Sequence, residues 1–239
     1  MTVDIPGGLL LVFGTLGENV SEAEFNDWHD NEHGPARLTV PGINTALRYI
    51  AADGREPKFA AVYDLKSPSV LESDDYQSLF PKASDNEKSI ISRISSLQRR
   101  VYTLVSTLQH PSTMQHPATA GDPNALPGKY ALLVFWEPFA ESEVEFNKWY
   151  DEEHFPLVSK VPGYLRARRF KLTAVNDIAG GATTPTNIPS YLAYYEWDNP
   201  NFLETEEMRA SQTEWAARVT RQSRPIPPDT RIMEFYKSY

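Results

Sequence analysis

The chain has 239 residues, 41% hydrophobic and 23% charged, an ordinary globular composition that excludes a disordered or fibrous chain. A formal net charge of −9 excludes the basic surface that nucleic acid or an anionic membrane requires of its partner. With no cysteine there is no disulfide framework, zinc-thiolate site or thiol nucleophile, which suits a reducing compartment.

Leu9 to Phe13, bounded by Gly7-Gly8 and Gly14, reads as a buried strand. It is also the longest apolar run, too short to span a bilayer, and no charged region or cleavage site precedes it, so a cytoplasmic protein is expected. Ser21 with Glu24 forms a capping box, and the helix it starts is expected to run to about Thr39, where Pro41-Gly42 ends it. Phe25, Trp28 and Leu38 share one face of that helix, while Asn26, Asp30, His33 and Arg37 follow one another on a second. Pro35 lacks an amide and crowds the carbonyl four residues back, which predicts a kink or break beside His33.

Ile43 to Ala51 and Phe59 to Leu65 read as strands, Pro68 to Phe80 and Asp85 to Leu97 as helices, and Val101 to Leu108 as a closing strand. This order, strand, helix, strand, strand, helix, strand, is the split βαβ arrangement of the ferredoxin-like fold. Gln109 to Lys129, with prolines at 111, 117, 123 and 127, is a linker. The pattern then repeats: a strand at Tyr130 to Trp136, a helix from about Glu141 to Lys160, strands at Tyr164 to Thr173 and Tyr191 to Trp197, a helical region from Asn201 to Thr220, and a last strand from Arg231 to Tyr236. The predicted domains are therefore 1–108 and 130–239, joined by 109–129. Ala174 to Pro189, long and rich in Gly, Thr and Pro, is a candidate lid.

The two halves share a motif. Trp28-His29-Asp30-Asn31-Glu32-His33-Gly34-Pro35 recurs as Trp149-Tyr150-Asp151-Glu152-Glu153-His154-Phe155-Pro156, and each copy runs on to Val-Pro-Gly, at Val40-Pro41-Gly42 and Val161-Pro162-Gly163. The offset is the same for both pieces, from 28 to 149 and from 40 to 161, so the chain reads as a duplicated module. A four-stranded sheet with helices on one face needs cover on the other. The expected fold class is α+β, two tandem ferredoxin-like βαββαβ modules packed sheet to sheet as an intramolecular dimeric α/β barrel.

Motif, Val-Pro-Gly and strand order together resemble the dimeric α/β-barrel superfamily, and within it the EthD-like group. The resemblance covers nearly the whole chain, once per half. It implies a hydrophobic, aromatic or polyketide-like small molecule as partner, an intramolecular pseudo-dimer open to further homo-oligomerisation, and a motif histidine facing the cavity between sheet and helix. It does not select a reaction, because members include lactone isomerases, polyketide cyclases, dehydratases, decarboxylases, cofactor-free monooxygenases and haem enzymes.

Residue by residue, His33 and His154 are the candidate general acid/base groups, each with an Asp three residues earlier, Asp30 and Asp151, to fix its tautomer. Arg48 and Arg169 recur on the second strand of each half and read either as carboxylate or enolate anchors or as strand-end charges. Trp149, like Trp28, is read chiefly as a core anchor, and Glu32 and Glu153 as second carboxylates or as partners of basic residues. Gly34 becomes Phe155 and Arg37 becomes Val158, so the two cavities should differ; His154, with Tyr150, Phe155 and the long loop, is expected to serve the larger apolar pocket. His29-Asp30-Asn31-Glu32-His33 fits an inverted zinc-protease pattern, but Tyr150 replaces His29 in the second copy and Pro35 disturbs the helix, so no metal is expected. The leading expectation is a cofactor-independent lyase or isomerase that dehydrates, decarboxylates or cyclises its substrate. The alternatives are a haem enzyme with His33 or His154 as axial ligand, or a non-catalytic ligand-binding or stress protein.

Overall fold

A computed structural model describes residues 5–110, 126–179, 187–223 and 229–239. Residues 111–125, the body of the expected linker, and 180–186, the middle of the expected lid, lie outside them.

Among the described residues eight strands form close to where alternation and apolar runs placed them, although the strand expected from Ile43 begins only at Leu47. β1 (Gly8–Thr15), β2 (Leu47–Ala51), β3 (Phe59–Leu65) and β4 (Ser96–Gln109) come from the first half. The second half supplies β5 (Tyr130–Trp136), β6 (Tyr164–Asp177), β7 (Tyr191–Trp197) and β8 (Asp229–Ser238). β1 lies antiparallel between β3 and β4, with β2 beyond β3. β5 likewise lies between β7 and β8, with β6 beyond β7. Both halves thus have the ferredoxin-like order in which the first strand sits centrally.

The chain divides into two compact units. Unit 1 holds the residues up to Leu104 with Lys171–Ile188 and Tyr236–Tyr239; unit 2 holds Val105–Phe170 and Pro189–Phe235. Strands β4 and β6 are longer than expected, 14 residues each. As a result the end of β6 and the residues closing β8 belong to unit 1. In unit 1, Phe25, Trp28, Phe59, Ile90, Ile94 and Leu97 pack into one core cluster, and Leu10, Ile43, Tyr63 and Leu65 into another. In unit 2 a single cluster gathers Phe146, Trp149, Tyr150, Phe155, Tyr195 and Trp197. Burying each such side chain contributes roughly 1.5–3 kcal/mol before entropy is counted.

The long helix expected from Ser21 to Thr39 is three pieces. Ser21 caps it, accepting from the Glu24 amide at 3.2 Å, and α1 runs over Glu22–Trp28. His29–His33 then forms a π-helical turn, closed by the Gly34 amide on the His29 carbonyl, before α2 (Gly34–Leu38). The cause is Pro35, which has no amide to continue the i to i−4 ladder, so the preceding turn widens to i to i−5 bonding. The second half repeats this sequence of pieces with Tyr150–His154 and Pro156.

The expected helix from Pro68 to Phe80 also breaks. Ser73 restarts it, accepting from the Tyr76 amide at 3.3 Å, so a 3₁₀ turn (Pro68–Glu72) precedes a short α3 (Asp74–Gln77). α4 (Asp85–Arg93) stops before Ile94, which is already extended. The second half adds α5 (Glu143–Trp149), α6 (Phe155–Val158), α7 (Glu206–Ala210) and α8 (Glu214–Arg221).

The repeated Val-Pro-Gly has a backbone reason. Gly42 and Gly163 stand at φ of +93° and +81°, and their carbonyls accept from the amides of Lys66 and Asp198 at 2.8 and 3.0 Å. An added Cβ would lie 2.8 Å from the Val70 side chain at Gly42 and 2.1 Å from Asp198 at Gly163. Gly42→Ala and Gly163→Ala should each lower the unfolding free energy by about 1 kcal/mol or more, read as a reduced urea midpoint.

Candidate active site

The π turns decide which side chains meet. Rings five apart meet: Trp149 stacks on His154 at 4.4 Å between centroids and 28°, and Trp28 lies against His33 at 4.5 Å with the planes tilted by 53°. Rings four apart also touch, His29 with His33 at 5.1 Å and Tyr150 with His154 at 5.2 Å. Residues three apart no longer share a face, so neither expected Asp/His pair forms. Asp30 accepts from Tyr239, Arg48 and Lys237 instead, and Asp151 accepts from Ser106 Oγ at 2.8 Å.

Asp30 organises unit 1. Tyr239 Oη donates to its Oδ1 at 2.6 Å, Arg48 Nη1 to the same oxygen at 2.9 Å, and Lys237 Nζ to Oδ2 at 3.0 Å. Burial works against the charged carboxylate, yet these three bonds hold the Asp30 pKa below the usual range. A phenol has one proton, and Tyr239 gives it to Asp30. Its oxygen, 3.0 Å from His29 Nδ1, therefore accepts from the imidazole, which fixes the Nδ1–H tautomer and leaves a lone pair on Nε2. Tyr63 Oη, the nearest donor, is 3.5 Å from that nitrogen. Burial first, then the cost of a second positive charge beside His33 and Arg48, keeps His29 neutral, its pKa well below the ordinary value.

Gly34 makes this arrangement possible. A Cβ there would come within 2.6 Å of the Tyr239 ring, which stacks on His29 at 5.7 Å and 28°. In the second copy Phe155 fills the equivalent position with its own ring, buried against Tyr195.

His33 is held by Glu87, whose Oε1 lies 3.2 Å from Nδ1 and 3.5 Å from both terminal nitrogens of Arg37. Burial, and then the charges of Arg37, Arg99 and Arg48, pushes the His33 pKa far down. His29, His33, Tyr63, Arg37 and Arg99 line one cavity of about 230 Å³ whose other walls are largely apolar. Ile178 lines it too, and Ala179 is buried in the cluster of Phe25 and Trp28. The described start of the long segment thus belongs with His29 rather than, as expected, with His154.

The remaining motif residues brace the fold. Glu32 accepts from Ser84 and Asn86, both at 2.5 Å, and Glu153 from Thr213 at 2.6 Å and Trp149 Nε1 at 3.1 Å, so each ties the motif to the cap of a later helix. Among the described residues no group of three or more histidines and carboxylates is placed to hold a metal, and Glu32 does not join His29 and His33. Arg48 and Arg169 also prove to be pins. Each is 1% exposed and donates to an asparagine on the preceding helix, Asn26 at 2.7 Å and Asn147 at 2.6 Å, amid aromatic rings.

In unit 2, Tyr150 and His154 line a cavity of about 350 Å³, more open to solvent, with Leu132, Val134 and Trp197. His154 Nδ1 is buried without a hydrogen-bond partner, and burial, then Arg169, lowers the His154 pKa to about 3. Trp149 and Phe155 sit in the core and do not line this cavity. Sequence reasoning set His29 aside and missed Tyr63, Glu87, Arg99 and Tyr239. The available signal was the difference between the copies at His29/Tyr150 and Gly34/Phe155.

No protein-family model matches the sequence, and neither does any curated protein. Solved structures do. An anthrone oxidase-like protein aligns over 97% of this chain and 92% of its own at a TM-score of 0.62 and 13% identity. A candidate monooxygenase from Lactobacillus acidophilus aligns over 97% and 95% at 0.58 and 7%. A mutant chlorite dismutase from Candidatus Nitrospira defluvii aligns over 97% and 92% at 0.58 and 11%. At such identities the likeness establishes the fold, α+β and of the dimeric α/β-barrel type with ferredoxin-like sheets. Among the described residues no helix is long and apolar enough to cross a membrane.

The neutral histidines set a pH dependence. A histidine whose folded pKa is depressed binds fewer protons folded than unfolded, so stability is lost as pH falls below about 6.5, the free value. His154 alone should account for roughly 1 kcal/mol per pH unit between about pH 6 and 4. Urea unfolding across that range should show a shallower loss for His154→Gln than for the parent; equal slopes would mean that His154 is not held neutral.

Proposed function

We propose that unit 1 holds the active site of an enzyme that moves a proton on a small, largely apolar substrate, with His29 as general base. The observation that carries this reading is the chain Asp30, Tyr239, His29, which fixes the tautomer so that the bare Nε2 stands at the cavity with Tyr63. The 3.5 Å contact from Tyr63 is long enough for a substrate to replace. A C–H next to a carbonyl gives its proton to Nε2, and the charge that forms on imidazole is met through Tyr239 by Asp30. Burial raises the Tyr63 pKa, so this phenol stays protonated and donates to the enolate oxygen that develops. Because His29 is a weak base, the substrate proton has to be acidic, as on a carbon flanked by both a carbonyl and an aromatic ring.

From that carbanion, loss of a neighbouring group or return of the proton elsewhere gives lyase or isomerase chemistry, the leading expectation from the sequence. The same reading takes residues 1–108 and 130–239 as tandem modules of a duplicated ancestor. The likeness to an anthrone oxidase-like protein and a candidate monooxygenase supports a second outcome, oxidation of the carbanion by dioxygen, in which a CH₂ and O₂ become a C=O and water. Haem is the third. The 230 Å³ cavity lies below, and the 350 Å³ one near the bottom of, the range of about 300–1,000 Å³ that holds drug-sized ligands. A porphyrin with His33 or His154 as axial ligand does not fit either as it stands.

Incubation with an aryl-methylene ketone such as 2-tetralone in D₂O should place deuterium on the carbon between the ring and the carbonyl, followed by NMR, and His29→Gln should slow this by a factor of about 10² or more while His154→Ala leaves it unchanged. An oxygen electrode under air separates the oxidative outcome from the others, and haemin added to purified protein should give no Soret shift.

A further inference from the structure

The charge around the unit 1 cavity is unbalanced. Asp30 is shared by two cations, Arg48 and Lys237, and Glu87 by Arg37 and the neutral His33. Among the described residues Arg99, on β4, has neutral hydrogen-bond partners only: Nη2 donates to Tyr76 Oη at 2.8 Å and Nη1 to Asn176 Oδ1 at 3.4 Å. Four fixed cations thus face two carboxylates, in a chain whose overall charge is −9. Arg37 is itself loosely held, both of its terminal nitrogens lying 3.5 Å from a single carboxylate oxygen that His33 also uses. Arg37 and Arg99 line the same cavity as His29, whose walls otherwise include Phe59, Leu97 and Ile178. Both guanidiniums lie close enough to His33 to depress its basicity.

We infer that this cavity takes a small aromatic acid, its carboxylate held by Arg99 with Arg37 and its ring between Phe59 and Leu97. The inference rests on the placement of the substrate at His29 proposed above and adds the substrate's charge. A carboxylate there supplies the anion that Arg99 lacks and offers Arg37 a closer partner than Glu87, in charge-assisted bonds about twice as strong as neutral ones. It also fixes the molecule at one end, so that the reacting carbon at the other is presented to His29 Nε2.

The test is equilibrium binding, independent of turnover. The probes are 2-naphthoate and 2-naphthalenemethanol, the same ring system with and without the charge, titrated calorimetrically at pH 7. The parent should bind the carboxylate at least tenfold more tightly than the alcohol. Arg99→Gln should remove that preference by weakening the carboxylate alone, and Arg99→Lys should keep part of it; thermal unfolding close to the parent's shows that the variants fold. Raising the salt should weaken the carboxylate and spare the alcohol. Equal affinities in the parent, no binding of either probe, or a preference that survives Arg99→Gln would overturn the inference. The titration is read without turnover: loss of deuterium exchange with the carboxylate preference intact fails the proton-transfer reading alone, and loss of the preference with exchange intact fails the anion site alone.

Discussion

Everything specific about this protein follows from one backbone constraint, the five-residue π turn that a proline imposes on the first helix of each half. An uninterrupted α-helix would line up residues three and four apart and set Asp30 beneath His33. The wider turn lines up residues four and five apart, so each tryptophan lies on a histidine and the aspartate turns away. In unit 1 this frees Asp30 to gather Arg48 from β2 and Lys237 and Tyr239 from beyond β8's middle, side chains far apart in sequence that meet at one carboxylate. The tautomer of His29, and with it the direction of any proton transfer, depends on that carboxylate two bonds away.

The two halves show how the same scaffold supports different interiors. The arginine of the second strand, the asparagine it binds, the glutamate that reaches a helix cap and the glycine at positive φ recur in both. What differs lies at the cavity. Unit 1 has His29 and a glycine that admits the Tyr239 ring, whereas unit 2 has Tyr150 and Phe155 and leaves the inner nitrogen of His154 without a partner. Polar groups buried in company hold one another in place, and a lone buried nitrogen has no such support.

Strands were legible because period and composition act locally: Phe59 to Leu65, Tyr130 to Trp136 and Tyr191 to Trp197 have the bounds their apolar runs suggest. The break beside His33 was legible from Pro35. Its geometry was not, since the spacing of five between Trp28 and His33 carries meaning only once a π turn is allowed. The candidate site was less legible still. The copies share Asp, Glu and the arginines, and of these Glu32, Glu153, Arg48 and Arg169 brace the fold. The proposed chemistry uses Asp30 together with His29, where the copies diverge, and with Tyr63, Glu87, Arg99 and Tyr239, which no local pattern links to the motif because tertiary packing alone brings them there.

The contact of Trp28 with His33 and of Trp149 with His154 has an optical consequence. Indole emission is quenched on contact with a protonated imidazole far more than with a neutral one. Each half therefore carries a built-in fluorophore pressed against the titratable ring of its own cavity, so its emission responds to the charge on that ring.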